Sequence, residues 1–360
     1  MTKFYFYLFL FIYNISLLYL IYTTPITPHE AYTLYNGTDL VGFLIRLSSD
    51  GINFWTLRTP FYLFGILNIY LYYQLSKEYF SKQNDIYLST SFFLILPGII
   101  TSIVLANIAV VIISLVLIFL LSYKRGYLLI QILMMILILI IHKSSIIFFI
   151  SIFIYSIFEK KSFLMSISFI FLTLSILMGG LEIGGKPSGH FIEIFGLYSA
   201  VFSPLVFIFF FYSMYRILIR ESKDILWYLS FSSLVFSLIL SIRQKIEITD
   251  FAPYVLISIA LMLNIYLNSL RVRIYEHQKG YKLGFIFVVS TLIISSVTII
   301  LHQNIFNILN DNRKHFAYSV YKPYWLSTQL KEQNIFCYDT NSIKQESQFL
   351  YYGLKRCHQN

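Results

Sequence analysis

From residue 4 to residue 301, long apolar runs alternate with short polar interruptions. A helix needs about 20 apolar residues to cross the hydrocarbon core of a bilayer. Runs of that order fall at 4–22, 60–76, 87–104, 106–122, 127–141, 145–158, 162–179, 197–218, 225–241, 251–270 and 283–301. The pattern predicts an all-α polytopic membrane protein with about eleven transmembrane helices. The opening run exceeds a signal-peptide core and lacks a small-residue cleavage site, so it reads as a retained helix.

The polar interruptions are not equivalent. Lys3, the segment 77–82, Lys124-Arg125, Lys160-Lys161, the segment 216–223 and the segment 271–282 all fall on one side if every run spans. Basic loops mark the cytoplasmic side, which puts the N-terminus inside and the tail outside. The outer side receives 23–59, a tight turn near 105, His142-Lys143, 180–196, 242–250 and the tail from 302. In the long first outward loop, LVGFLIRL at 40–47 is too short to span and reads as an interfacial amphipathic segment. The tail carries strand-like NIFCYD at 334–339 and helix-like QESQFLYYGLKRC at 345–357, which predicts a small outward α/β cap. The expected division is a transmembrane domain over 1–301 and a cap over 302–360. Cys337 and Cys357 both lie in that cap; they fit no metal-site spacing but are able to pair in an oxidising compartment.

Composition agrees. The chain is 58% hydrophobic and only 12% charged, with a mean hydropathy of +0.71, against about 25% charged residues in soluble domains. The net charge of +10 sits in the short loops, so it reads as topogenic charge and not as a nucleic-acid surface.

Ionisable residues on the side that should be poor in charge are the candidates for chemistry. His29-Glu30 opens the first loop: a carboxylate there is a candidate general base for an acceptor hydroxyl, or else a helix-start residue after Pro28. Arg58, just before the second run, reads by itself as an interface anchor. Lys143 interrupts an apolar stretch and is a candidate anion binder, with snorkelling as the alternative. In SIRQKIEITDFAPYV, 241–255, Arg243 and Lys245 form a basic pair suited to a phosphate, unless Glu247 and Asp250 neutralise it. The glycine-rich stretch 179–193, with Lys186 and His190, does not match a Walker motif and reads as a loop closing over a site. Lys143, Arg243, Lys245 and Glu30 fall on the same predicted face, as a reaction on a membrane-bound phosphate ester requires.

The order of these features resembles the GT-C superfamily of integral membrane glycosyltransferases. The branch with protein O-mannosyltransferases and lipid A aminoarabinose transferases is the nearest. That branch has an acidic pair followed by Ala-Tyr in the first outward loop; PHEAY, 28–32, stands there and ends on Tyr32. Arg58-Thr59-Pro60 is similar to its Arg-x-Pro, and HKS around Lys143 to its Lys-Gly hairpin, with Ser144 where Gly is usual. Ser203-Pro204 is similar to its helix-end proline, and Lys245 with Pro253 to its basic-Tyr-Pro segment. The resemblance implies a sugar on a polyprenyl phosphate as donor and a hydroxyl of a lipid, glycan or protein as acceptor. That hydroxyl attacks the anomeric carbon with inversion in a bacterial inner membrane. Glu30 would be the base, with His29 beside it; Lys143, Arg243, Lys245 and Arg58 would hold the phosphate. Beside that scheme, Lys186 and His190 on the closing loop, with Tyr32, are candidates for loop or acceptor contacts.

Two departures stand out. His29 replaces the first acid of the pair, and Asn107 stands where relatives often have Asp. With so few carboxylates, metal independence is expected and no cofactor is implied. The rival readings are a polysaccharide polymerase or ligase, a flippase of lipid-linked sugars, or an inactive homologue. A flippase favours internal repeats and helices broken at the midplane, and no repeat is present.

Overall fold

The structure is a computed structural model and describes residues 3–51, 53–142, 144–179, 189–309 and 311–357. Among the described residues secondary structure is helical, apart from one isolated bridge between Cys337 and Lys355. Helices answer all the predicted runs because a chain this apolar satisfies its backbone polar groups within each segment. Five are long and apolar enough to cross a membrane, or up to seven if each of two bent pairs is one span. Leu128–Ile141, Ile146–Phe158 and Ser162–Leu177 are shorter apolar helices, so the expected number of straight spans is larger than length and composition support.

The bent pairs correct two predicted spans. The run 87–104 is Gln83–Leu94 followed by Pro97–Val104, bent by 60°, and the run 197–218 is Phe191–Phe202 followed by Pro204–Arg220, bent by 104°. Proline supplies no N–H to the preceding turn and disfavours helical backbone at the residue before it. At the sharper bend Ser203 has φ +82° and ψ 147°, a backbone conformation open mainly to glycine that costs other residues about 1–3 kcal/mol.

Contacts within the chain define two units. The first comprises residues 1–10, 64–101 and 108–296. The largely enclosed helix Ile108–Arg125 packs against Leu128–Ile141, and Ile225–Arg243 packs against Ile146–Phe158. Polar side chains here lie between helices: Asn68 Nδ2 donates to Val110 O at 2.9 Å, and Ser114 Oγ donates to Asn68 Oδ1 at 2.7 Å. Such bonds help join helices where the hydrophobic effect between them is weak.

The second unit comprises 11–63, 102–107 and 297–360. Its first-loop helix Pro28–Asn36 starts with proline at a position where the missing N–H costs nothing. Leu40–Ser48 follows, capped by Asp39, with Val41, Gly42 and Ile45 buried and Phe43 and Leu47 exposed, the predicted amphipathic segment. A Cβ at Gly42 would lie 2.6 Å from Gly37 O, so only glycine fits there. Arg46 Nη1 donates to Leu34 O at 3.3 Å and Gly37 O at 2.7 Å, satisfying carbonyls at the end of the preceding helix.

The tail contributes Tyr318–Glu332 and Ile343–Tyr351, the latter packed on Pro28–Asn36. Gln348 Nε2 donates to Ile26 O at 2.7 Å and Val320 O at 3.2 Å, and Gln303 Nε2 donates to Thr23 O at 2.8 Å. Side-chain amides from the tail thus satisfy first-loop carbonyls. The strand-like NIFCYD forms no strand: it makes the one bridge, with residues 334–336 exposed and no second strand to form a ladder. The predicted α/β character of the cap is corrected to helical.

Cys337 and Cys357 are joined, with Cα atoms 4.8 Å apart and a sequence separation of 20. Closing a loop of that length limits the unfolded chain by about 3 kcal/mol. Cys337→Ser/Cys357→Ser is expected to lower unfolding free energy by about that amount. The check is thermal melting in detergent, with reduction of the wild type giving a shift of the same size.

Candidate active site

In the second unit, Thr27 and Glu30 form a reciprocal cap. Glu30 N donates to Thr27 Oγ1 at 3.1 Å, and Thr27 N donates to Glu30 Oε2 at 2.8 Å. This is the S/T-x-x-E arrangement that starts helices, and it directs the Glu30 carboxylate inward. Arg58 reaches the carboxylate from the short turn Thr56–Arg58. Its Nε donates to Glu30 Oε1 and its Nη2 to Glu30 Oε2, both at 2.8 Å. Arg58 is 0% exposed and Glu30 1% exposed.

Every polar position of the pair is committed. The remaining Arg58 donors go to Ile21 O at 3.2 Å, Thr24 O at 2.7 Å and Pro25 O at 2.9 Å. Glu30 Oε1 also accepts from Ala106 N at 2.8 Å. A guanidinium has five N–H donors, and a carboxylate about four lone-pair positions; the contacts just named use them all. Burial by itself raises the Glu30 carboxyl; the Arg58 charge and hydrogen bonds, with the N–H groups of Ala106 and Thr27, outweigh that and hold it below its ordinary value. The carboxylate is a stable anion with no lone pair turned towards a substrate.

Two expectations change on this geometry. Arg58 is not an exposed interface anchor, and none of its donors remains for a phosphate. The helix-start alternative for Glu30 is realised and extended, because the same carboxylate closes the cap and binds the guanidinium.

His29, the neighbour of Glu30, is exposed on the same first turn. Its Nδ1 lies 3.4 Å from Thr33 Oγ1, whose hydroxyl donates to His29 O at 2.8 Å. Tyr32 is half-buried on the same helix.

In the first unit, the predicted basic segment lies at the end of Ile225–Arg243. Arg243 and Lys245 are both exposed. Lys245 Nζ lies 3.3 Å from Glu193 Oε1, and His190 Nδ1 lies 2.9 Å from Glu193 Oε2. Lys245 and His190 were predicted for different substrates; Glu193 brings them together. His142 Nδ1 lies 2.8 Å from Tyr254 Oη and its Nε2 3.6 Å from Asp250 Oδ1. The HKS and TDFAPY segments therefore meet through His142, which is 3% exposed. Lys143 and Lys186 lie outside the described residues.

Sequence reasoning passed over Glu193, Tyr254 and the Ala106 N–H. Glu193 was legible as an acid beside a glycine-rich stretch. Ala106 was not, because its contribution is backbone. Asp250 was weighed only as a counter-charge to the basic pair, and the structure instead turns it towards His142.

No protein-family model matches the chain, and no curated protein matches it significantly. Among solved structures, the fold is similar to that of ArnT from Cupriavidus metallidurans in the apo state, with a TM-score of 0.55 and 11% sequence identity over 96% of this chain and 73% of that one. At this identity the likeness establishes the fold. Taken with the apolar helices, it describes an integral membrane protein.

Proposed function

We propose that the chain is a membrane glycosyltransferase of the GT-C type, moving a sugar from a polyprenyl phosphate to a hydroxyl of a lipid, glycan or protein on the outer face of a bacterial inner membrane. The observation that carries this reading is the ArnT-like fold over 96% of the chain. The order of motifs in the sequence leads independently to the same branch.

The roles within the first loop follow from which groups are already committed. Glu30 and Arg58 are spent on one another and on backbone, so they position the first loop. His29 is exposed at the next residue, and its Nε2 makes no hydrogen bond among the described residues. We assign it the proton of the acceptor hydroxyl, as general base during attack on the anomeric carbon. Arg243 and Lys245 are assigned the leaving phosphate, where positive charge stabilises the anion as the glycosidic bond breaks. Lys143 keeps the phosphate-binding role that the resemblance implies, and Tyr32, His190 and Lys186 remain candidates for loop or acceptor contacts. No metal enters this scheme.

The test is transfer from a labelled polyprenyl-phosphate sugar in proteoliposomes. Label should reach an acceptor, and a chelator such as EDTA should leave the rate unchanged. Movement of donor across the bilayer without transfer would instead identify a flippase. Lys245→Ala is expected to weaken donor binding by about tenfold, within the range for losing one charge-assisted phosphate contact. Unchanged donor binding by that variant would remove Lys245 from the phosphate site.

A further inference from the structure

The basic ends of three helices of the first unit carry a second polar centre, remote in sequence from the first-loop residues. Pro204–Arg220 and Ile259–Val272 end there and Tyr275–Ile300 begins there. A cavity of about 610 Å³ opens between the first two, lined by Arg216, Arg220, Arg273, Tyr212, Asn268 and Ser269. Arg216 Nη1 donates to Ser269 Oγ at 2.6 Å, while its buried Nε–H makes no hydrogen bond and lies 3.5 Å from Glu221 Oε1. Arg220 and Arg273 are exposed and form no ion pair among the described residues. Three guanidinium groups line one cavity, with Glu221 beside Arg216, which makes a site for a dispersed anion such as a phosphate diester.

A separate apolar groove lies one side-chain contact away, across the Arg273–Tyr281 pair. It holds about 270 Å³ between Phe209, Tyr266, Gly280, Tyr281, Gly284 and Phe285. Tyr281 links the two spaces: the Arg273 guanidinium lies 4.2 Å from its ring centre, and the ring stacks on Tyr266 at 5.1 Å. Gly280 and Gly284 lie one turn apart on the same face of Tyr275–Ile300, and a Cβ at either would meet nothing within 4 Å. The glycines leave the groove open where side chains would fill it. Around the cavity, Tyr212, Tyr215, Ile219 and Val272 are exposed apolar side chains, from 50% for Tyr212 to 87% for Val272. In a membrane protein such a face meets lipid.

We propose that this place binds one anionic glycerophospholipid, with its phosphate among Arg216, Arg220 and Arg273 and an acyl chain along the groove over Gly280 and Gly284. A soluble phosphate ester would use the arginines and leave the groove empty; a zwitterionic lipid would fill the groove and gain little from three cations. Basic pockets between membrane helices bind anionic lipid headgroups. The site is separate from the sugar-transfer reading and stands if that reading fails.

The experiment is native mass spectrometry of the full-length protein, titrated with phosphatidylglycerol and, separately, phosphatidylcholine. The wild type is expected to retain phosphatidylglycerol with about tenfold preference or more. Arg220→Gln/Arg273→Gln should abolish the preference, Arg220→Lys/Arg273→Lys should restore most of it, and Gly280→Leu/Gly284→Leu should weaken lipid binding for both headgroups. Equal retention of both lipids by the wild type, or undiminished preference in the glutamine variant, overturns the proposal. So does displacement of the lipid by inorganic phosphate or glycerophosphoglycerol at the same concentration, because the site would then take the soluble anion. Thermal melting of each variant identifies any that fails to fold, and the lysine and leucine variants then carry the test.

Discussion

Arg58→Ala is expected to destabilise the unit formed by the first loop and the tail by about 3–5 kcal/mol, the usual consequence of removing one partner from a buried ion pair. The effect should be large because nothing else replaces the guanidinium. Its loss strands the Glu30 carboxylate, 1% exposed, and frees the carbonyls of Ile21, Thr24 and Pro25, which have no other donor among the contacts described. Glu30→Ala should cost a similar amount, since it leaves the buried cation unpaired and opens the Thr27 cap. Both are read as lowered melting temperature in detergent. Arg58→Ala/Glu30→Ala should cost less than the sum of the two, because the double variant removes both charges; strict additivity would show that the pair is not coupled. Acid should act in the same direction. The folded Glu30 carboxyl lies below its ordinary value of 4.5. The contribution is therefore complete above that value and is lost as pH falls through the lowered folded value. Glu30→Gln should flatten that part of the pH–stability curve.

His29→Ala is expected to reduce sugar transfer by about 10²–10⁴-fold, the range for losing a general base, with melting unchanged. The contrast with Glu30 is what gives this prediction its force. The two residues are adjacent, yet one is exposed on the first turn of Pro28–Asn36 and the other is enclosed by Arg58, Thr27 and Ala106. Loss of transfer without loss of stability at position 29, and loss of both at position 30, would divide the roles as proposed. His29→Asp should recover part of the activity, because a carboxylate on that turn is also a base within reach of an acceptor. Full transfer by His29→Ala would remove the histidine from the chemistry and return attention to Glu30, which acts as base only if Arg58 withdraws.

Much of the site was legible in particular residues. PHEAY announced a helix start, because proline belongs in a first turn and a carboxylate favours a helix N-terminus; that Thr27 closes the cap with Glu30 was passed over. Arg58 stood out as a cation at the mouth of an apolar run. Their partnership was not legible, since it joins residues 28 positions apart through a turn of the chain that no local pattern encodes. The meeting of Lys245 and His190 on Glu193, and of His142 with Tyr254, was hidden for the same reason.

The sequence by itself determined that this is a helical membrane protein, where its polar loops lie and which of its charged residues required explanation. Those conclusions rest on hydropathy and on backbone hydrogen bonding, which are properties of short segments and hold wherever the segments go. Only the tertiary structure decided which charges were already satisfied. Whether a carboxylate is a base or a structural anion depends on the donors around it, and the donors to Glu30 come from Thr27, Arg58 and the backbone of Ala106. Only folding brings those three groups to one carboxylate.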